Sequence, residues 1–453
     1  MIARYQHRLD LIRKRPWFGL QGTVEAVRGM ALHVKHLPVQ VGGRVRIDRA
    51  GTIVRGEVVG FNADVAIVML DDPIEGIEPG CAVHADTHAG LVPTGPGVLG
   101  RVLDGLGRPI DGRGPLQDID GDPLHPAPLD PMERACIDAP MPTGVRSIDG
   151  LLTIGRGQRV GIFSGAGVGK STLLASMARA TSSDVSVIAL IGERGREATE
   201  FVERMLGTEG LARSVVIVST GDEPPLRRVR ATQLAMTIAE RFRSDGSDVL
   251  FCMDSLTRYA RALRQLALAC GEPPASRGFP ASVFARLPVL IERAGALRSG
   301  GSITGLFTVL VEGDDLTDPV ADAAMGMLDG HIVLSRDIAA RGRFPAVDPL
   351  ASVSRLADAV SDDNHIAARQ EIRKLLAAWS EVEDLVSIGA YAAGSNPLSD
   401  VAIELRPAIE SWLQQSWDDP AGYPETCREL VELATSSLRM QQANGRAAQV
   451  GAS

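Results

Sequence analysis

Aromatic residues are scarce: ten Phe, four Trp and four Tyr make up 4% of 453 residues. With 45% hydrophobic residues in all, the core must be built mainly from Ala, Val, Leu and Ile. Cysteine is sparse too. Cys81, Cys136, Cys252, Cys270 and Cys427 are scattered, odd in number and form no CxxC pair. That indicates neither a disulfide framework nor a zinc site, and it fits a reducing cytosol. No run approaches the ~18 apolar residues of a membrane span. The opening "MIARYQHRLDLIRKRPWFGL" lacks the apolar stretch and small-residue cleavage site of a secretory signal. Positive charge is not in excess: 47 basic and 56 acidic residues give a net charge of −9, which argues against general nucleic-acid binding. There is no internal repeat or low-complexity tract, and the length predicts about three domains.

What is present changes in texture along the chain. Ile2, Tyr5, Leu9 and Ile12 recur at helical steps among Arg4, Arg8, Arg13, Lys14 and Arg15, and Pro16 ends the pattern. Residues 1–20 are expected to form a basic amphipathic helix, suited to a partner or an anionic membrane surface; a solvated tail is the alternative. Residues 21–88 hold short β-rich runs between Gly, Asn and Asp turns, which predicts a small β-barrel. Residues 89–130, rich in Gly, Pro and Asp, read as a connector into the next domain. From there to residue 355, buried-type strands such as "VSVIALIGE" and "VLFCMDS" alternate with helices, the pattern of an α/β domain with a parallel sheet. Residues 356–453 read as a polar helical domain.

One stretch carries chemistry. "RVGIFSGAGVGKSTLL" (159–174) nearly spells a phosphate-binding loop, with Ser164 where the pattern opens on glycine. It follows an apolar strand and starts an apolar helix, where backbone N–H groups can surround phosphate oxygens. Gly165, Gly167 and Gly169 keep the turn bare, Lys170 reaches β- and γ-phosphates, and Ser171 can ligand Mg²⁺. Ser164 sits at the strand end, where a small residue suffices. A purely structural strand–turn–helix corner is the competing reading. Asp254 ends another apolar strand and suits a metal-organising carboxylate, or a helix cap. Glu193, with Arg194 beside it, could hold an attacking water, or be a surface ion-pair acid.

These motifs, with "IGERGRE", "MDSLTRYARA", "VEGDDLTDP" and "FPAVDPLASVSR", occur in the order found in rotary-type ATPases of the F1/V1 group. "TGVRSIDGLLTIGRGQRVGIFSGAGVGKSTLL" and "FPASVFARLPVLIERAG" more closely resemble the branch that energises type III protein export, flagellar or injectisome, over roughly residues 20–400. The resemblance implies an α/β fold. A RecA-like P-loop core (89–355, including the connector) would follow the barrel and precede the helical domain. It implies ATP and Mg²⁺ as ligands, held by Gly165, Ala166, Gly167, Val168, Gly169, Lys170, Ser171 and Thr172, with Asp254 the second metal-organising residue. Glu193 falls on the catalytic glutamate, and Arg194 and Arg258 fall on positions near the γ-phosphate. Phe344 matches an aromatic that stacks on adenine, and Arg355 an arginine finger acting in trans. A chain carrying both loop and finger implies a homohexameric ring. Further implied partners are a regulatory or stator-like dimer on the N-terminal helix and a central stalk-like protein facing Asp314–Pro319 and the loop 271–283. Chaperone–substrate complexes and an export gate complete the set, with peripheral membrane contact and no nucleic acid. The expected location is the cytoplasmic side of the inner-membrane export apparatus.

Three classes of function stay open at this level. They are an export ATPase that releases chaperones and promotes export of unfolded proteins, an ATP synthase catalytic subunit, and a nucleic-acid-translocating ring. GERGRE in place of GERTRE and the lack of a DELSEED-like acidic run oppose the second; the acidic balance opposes the third. "IGAYAAGSNP" (388–397), with Ala390, favours a flagellar system, the injectisome being the alternative.

Overall fold

The structure, a computed structural model, describes residues 20–49, 51–86, 91–311, 313 and 315–451, with side chains to residue 444. The helix expected at 1–20 therefore lies outside the described residues, Leu20 excepted, as does Asp314.

The first six strands are β1 (Gln21–Arg28), β2 (Ala31–Lys35), β3 (Arg44–Arg49), β4 (Thr52–Asn62), β5 (Val65–Leu70) and β6 (Ala82–Ala85). They close into a barrel in the order β1-β2-β5-β4-β3-β6. Alternating positions fill it: Val24, Leu32, Val45, Ile47, Val68 and Val83 form its core. Closure leaves no edge for another strand to pair with.

The chain then forms β7 (Leu91–Thr94), β8 (Val102–Asp104) and β9 (Asp120–Pro123). β7 pairs with β9, but β8 docks parallel on the outer edge of the next domain's sheet. The stretch read as a connector is thus also a structural edge, its three-residue strand hidden among glycines. The remaining strands are β10 (Arg159–Ser164), β11 (Val185–Ile191), β12 (Ser214–Ser219), β13 (Asp248–Asp254), β14 (Gly295–Ala296), β15 (Ser302–Leu310), β16 (Gly330–Leu334) and β17 (Val347–Ser354). The sheet order is β17-β16-β10-β15-β13-β11-β12-β8, with β14 beside β15. It is parallel, as its strands' composition predicts, except for β14 and β17, which run antiparallel.

Every residue of β11 is buried, which requires cover on both faces. On one face Phe163, Val187, Phe251 and Phe307 pack under the helices Pro225–Ser244, Leu256–Ala269 and Ala281–Ile291. On the other, Ile162, Ile188, Leu250 and Leu306 meet the helix Lys170–Ala180 and the C-terminal helical domain. That domain consists of the helices Asp363–Ser387, Pro397–Leu413 and Tyr423–Gly451. It is held against the core partly by His365, whose Nε2 lies 2.8 Å from the Gly150 carbonyl.

The scarce aromatics are placed economically. In β15 the ring of Phe307 folds back over Gly305 in its own strand and lies 5.8 Å from that of Phe251. A Cβ on Gly305 would stand 2.6 Å from that fully buried ring. Alanine gains roughly 0.5–1 kcal/mol in backbone entropy, whereas overpacking costs about 1–3 kcal/mol, so the clash wins. Gly305→Ala is expected to lower the thermal midpoint by a few degrees, measured by circular dichroism; an unchanged midpoint would show that the ring moves aside freely.

Candidate active site

β10 ends at Ser164, and the turn Gly165–Gly169 leads into the helix Lys170–Ala180. Gly167 (φ 80°) and Gly169 (φ 88°) are left-handed, a conformation glycine adopts without steric cost. A side chain at Gly165 would collide with the guanidinium of Arg336. Ala166 and Gly167 are exposed at the tip, and Val168 is buried beneath them. No side chain caps the helix at Gly169, so its first-turn N–H groups face the loop. Ser171 and Thr172 occupy that turn, half-buried.

The loop meets the ends of two neighbouring strands. Lys170 Nζ lies 2.5 Å from Asp254 Oδ1 at the end of β13 and 3.8 Å from Glu193 Oε1 just beyond β11. Asp254 is buried and accepts a 2.8 Å hydrogen bond from Thr308 Oγ1. The chain leaves β11 through Gly192 (φ 75°), whose bare Cα lets the Arg258 side chain pack close beside it. Burial, and then the charge of Asp254, hold the Glu193 carboxyl above the ordinary glutamate range, while Lys170 and Arg258 oppose the shift. Its Oε1 is buried without a hydrogen-bond partner. Lys170, Ser171, Asp254, Glu193 and Arg258 thus converge.

Three predicted residues stand elsewhere. The Arg194 side chain is 84% exposed and pairs with Glu197 at 3.1 Å, one helical turn on, so it does not join Lys170. Phe344 sits at the loop's flank, 3.8 Å from where a Cβ on Gly169 would be. Arg355 follows Ser354, which pairs with Gly330 at the start of β16, whereas Leu334 at the end of β16 pairs with Ser164. Four strand steps, about 13 Å, therefore separate Arg355 from the level of the loop. It lies exposed toward the opposite ends of the parallel strands, donating to the Met325 carbonyl.

Beside the loop is a cavity of about 460 Å³, walled by Val168, Thr172, Phe344, Pro345, Gln415 and Trp417. Gln415 N donates to the Phe344 carbonyl at 2.9 Å, Gln415 Oε1 accepts from Arg146 N at 2.9 Å, and the Arg179 guanidinium lies 5.5 Å over Trp417. Gln415 and Trp417 escape sequence reasoning because they follow a helix of another domain. The available signal is an exposed Trp in a chain with only four.

The groups suit Mg-nucleotide. Bare N–H groups and Lys170 complement phosphate. One hydroxyl and one or two carboxylates match Mg²⁺, which keeps waters and phosphate oxygens as its other ligands. The Glu193 Oε1 makes no hydrogen bond and has only the Lys170 ammonium, 3.8 Å away, as a partner. Among the described residues there is no cluster of three or more His, Cys, Asp or Glu able to hold a metal, and no helix is long and apolar enough to cross a membrane.

Fold and loop together define a nucleotide-binding ATPase: residues 144–354 match the ATP synthase alpha/beta family, nucleotide-binding domain, and residues 361–432 match the T3SS EscN ATPase C-terminal domain. The flagellum-specific ATP synthase of Pseudomonas aeruginosa is 46% identical, over 91% of this chain and 93% of that one. The type 3 secretion system ATPase of Xanthomonas euvesicatoria is 48% identical, over 92% and 93%. The assembled ATPase EscN, solved with its central stalk EscO from the enteropathogenic E. coli type III secretion system, has a TM-score of 0.84 at 40% identity, covering 91% of this chain and 100% of EscN. The chain belongs to the family of flagellum-specific ATP synthases and type 3 secretion system ATPases.

Ser164 is buried, and its hydroxyl has no partner, so nothing at the site leans on it. Ser164→Gly should change the ATP turnover rate less than tenfold, checked by phosphate release.

Proposed function

We propose that this chain hydrolyses Mg-ATP at sites shared between neighbouring copies of a homohexameric ring, and that the ring drives type III protein export. The observation that carries the reading is the separation of its two halves: Lys170, Asp254 and Glu193 converge at the C-terminal ends of the parallel strands, while Arg355 lies exposed toward their opposite ends. Lys170, the loop N–H groups and Ser171 hold the phosphates. Ser171 and Asp254 would hold Mg²⁺, which would supply neutralisation of the phosphate charge. Glu193 orients the attacking water and takes up its proton as the water adds in line to the γ-phosphorus, while the bond from that phosphorus to the bridging oxygen breaks and ADP leaves. Burial, which holds its carboxyl above the ordinary glutamate range, makes its carboxylate a stronger base than a solvated one. Arg258, and Arg194 once its pair with Glu197 opens, stabilise γ-phosphate charge. Arg355 of the next copy completes the site. Phe344 stacks on adenine.

In this reading ring asymmetry moves the helical domains, which release chaperones and hand unfolded clients to an export gate. The segment Asp315–Pro319 and the loop 271–283 face a central stalk; Arg277 ties them together through Asp315 at 3.1 Å, and a relative is solved with such a stalk. The N-terminal segment, residues 1–20, takes a regulatory dimer and peripheral membrane contact on the cytoplasmic side. No nucleic acid is involved. We assign the export system as flagellar, on the segment 388–397. The second reading is an injectisome serving virulence or symbiosis, since a type 3 secretion system ATPase is as similar to this chain, at 48% identity, as a flagellum-specific relative. Deletion of the gene separates them: the flagellar assignment expects loss of filaments and motility, and intact motility overturns it.

Glu193→Gln is expected to bind ATP about as tightly as wild type but to lose turnover by at least a hundredfold, within the range of general-base effects. Phe344→Ala should weaken binding of a fluorescent ATP analogue about tenfold, the scale of one base–aromatic stack. Lys170→Ala and Arg355→Ala should each be inactive alone and recover phosphate release when mixed and co-assembled. A dead mixture would remove Arg355 from the neighbouring site and the ring argument with it.

A further inference from the structure

The barrel and the ATPase core do not close fully against each other. A cavity of about 570 Å³ remains between β4 and the helices Pro225–Ser244, Leu256–Ala269 and Ala281–Ile291. That volume is of the size that accepts a small organic molecule. Its floor is apolar, formed by Val58, Val59, Leu226, Val229, Leu263 and Leu290. Its rim is cationic. Arg230 reaches Glu57 at 2.9 Å but leaves a buried Nε without a partner. Arg293 is satisfied by Glu240 at 2.5 Å and Thr237 at 2.8 Å. Arg286, on the exposed side, has no carboxylate within 4 Å among the described residues, and Glu272 across the cavity does not pair with it. The neighbours register the resulting field. His125 is held below its usual range, first by burial and then by Arg293, Arg230 and Arg286. Burial pushes the Tyr259 hydroxyl up to about 12, against the pull of Arg286 and Arg293.

The geometry points to a binding site for a small organic anion, one carboxylate, phosphate or sulfonate on an apolar body, wedged between barrel and core with Arg286 as its unpaired cation. The apolar body replaces water over the Val and Leu floor, and the anionic head meets Arg286. Such a ligand touches Leu263 and Leu266 on the helix Leu256–Ala269, which begins two residues after Asp254 and carries Arg258. It therefore bears on the element that frames the nucleotide site without entering that site.

The full-length chain would be titrated with 8-anilinonaphthalene-1-sulfonate, an aromatic sulfonate that fluoresces on leaving water. N-phenyl-1-naphthylamine, which lacks the sulfonate, is the uncharged control. We expect one saturable sulfonate site per chain, undisturbed by a saturating non-hydrolysable ATP analogue, with the uncharged dye bound at least fivefold more weakly. Arg286→Glu should weaken the sulfonate about tenfold or more, as loss of a charged hydrogen bond does. Val289→Trp, at the exposed mouth, should weaken both dyes, and each variant should keep the wild-type thermal midpoint and ATP turnover. No saturable binding, full binding to Arg286→Glu, or displacement by the ATP analogue would overturn the assignment. So would exclusion of the dye once copies assemble, which would give the cavity to a neighbouring chain.

Discussion

A parallel sheet has no face it can leave in water, and the rest of this molecule follows from that constraint. Because β10, β11, β13 and β15 are apolar on both sides, helices must cover both. Polar groups are then confined to the strand ends. Lys170, Asp254 and Glu193 meet there because three strands running the same way finish together. The nearly buried charges at that edge hold one another: one ammonium stands between two carboxylates, and Thr308 donates the remaining hydrogen bond to Asp254. Breaking such a group by removing one member leaves an uncompensated buried charge, which costs several kcal/mol.

The covering helices also decide what the neighbouring domains can do. The barrel is fastened to the Pro225–Ser244 helix through Arg227–Asp72 at 2.8 Å and Arg230–Glu57 at 2.9 Å. The helical domain is fastened through Gly150, whose bare Cα admits the ring of Trp412. Both attachments use a few specific contacts beside apolar packing. The barrel therefore keeps its own core, whereas the helical domain shares one with a face of the central sheet.

Much of this was legible in the sequence, and for a local reason. A glycine-rich turn between an apolar strand and an apolar helix, or an acid closing an apolar strand, is written in fewer than ten consecutive residues. Lys170, Ser171 and Asp254 could thus be assigned places from pattern alone. The barrel and the alternating sheet were legible because burial period follows chain direction. What stayed hidden depends on partners far away in the chain. β8 is three residues long and is a strand only because β12 receives it. β17 runs antiparallel through a bulge opposite His331–Val333, which no residue in "FPAVDPLASVSR" announces. Gln415 and Trp417 reach the cavity from another domain. Arg194, beside a carboxylate that does face Lys170, turns outward because Glu197 offers the nearer partner.

The cavity beside the loop has walls of mixed ownership. Phe344 belongs to the central domain, Trp417 and Gln415 to the segment after the helix Pro397–Leu413, and the hydrogen bonds of Gln415 to Phe344, Arg146 and Gly144 sew them together. A chamber built that way acts as a caliper. Its jaws are two bodies, so a rigid object gripped between them fixes their angle, and a change of angle changes the grip by the same free energy. The helical domain is in this sense read by whatever fills the chamber, and it sets the chamber's affinity in return.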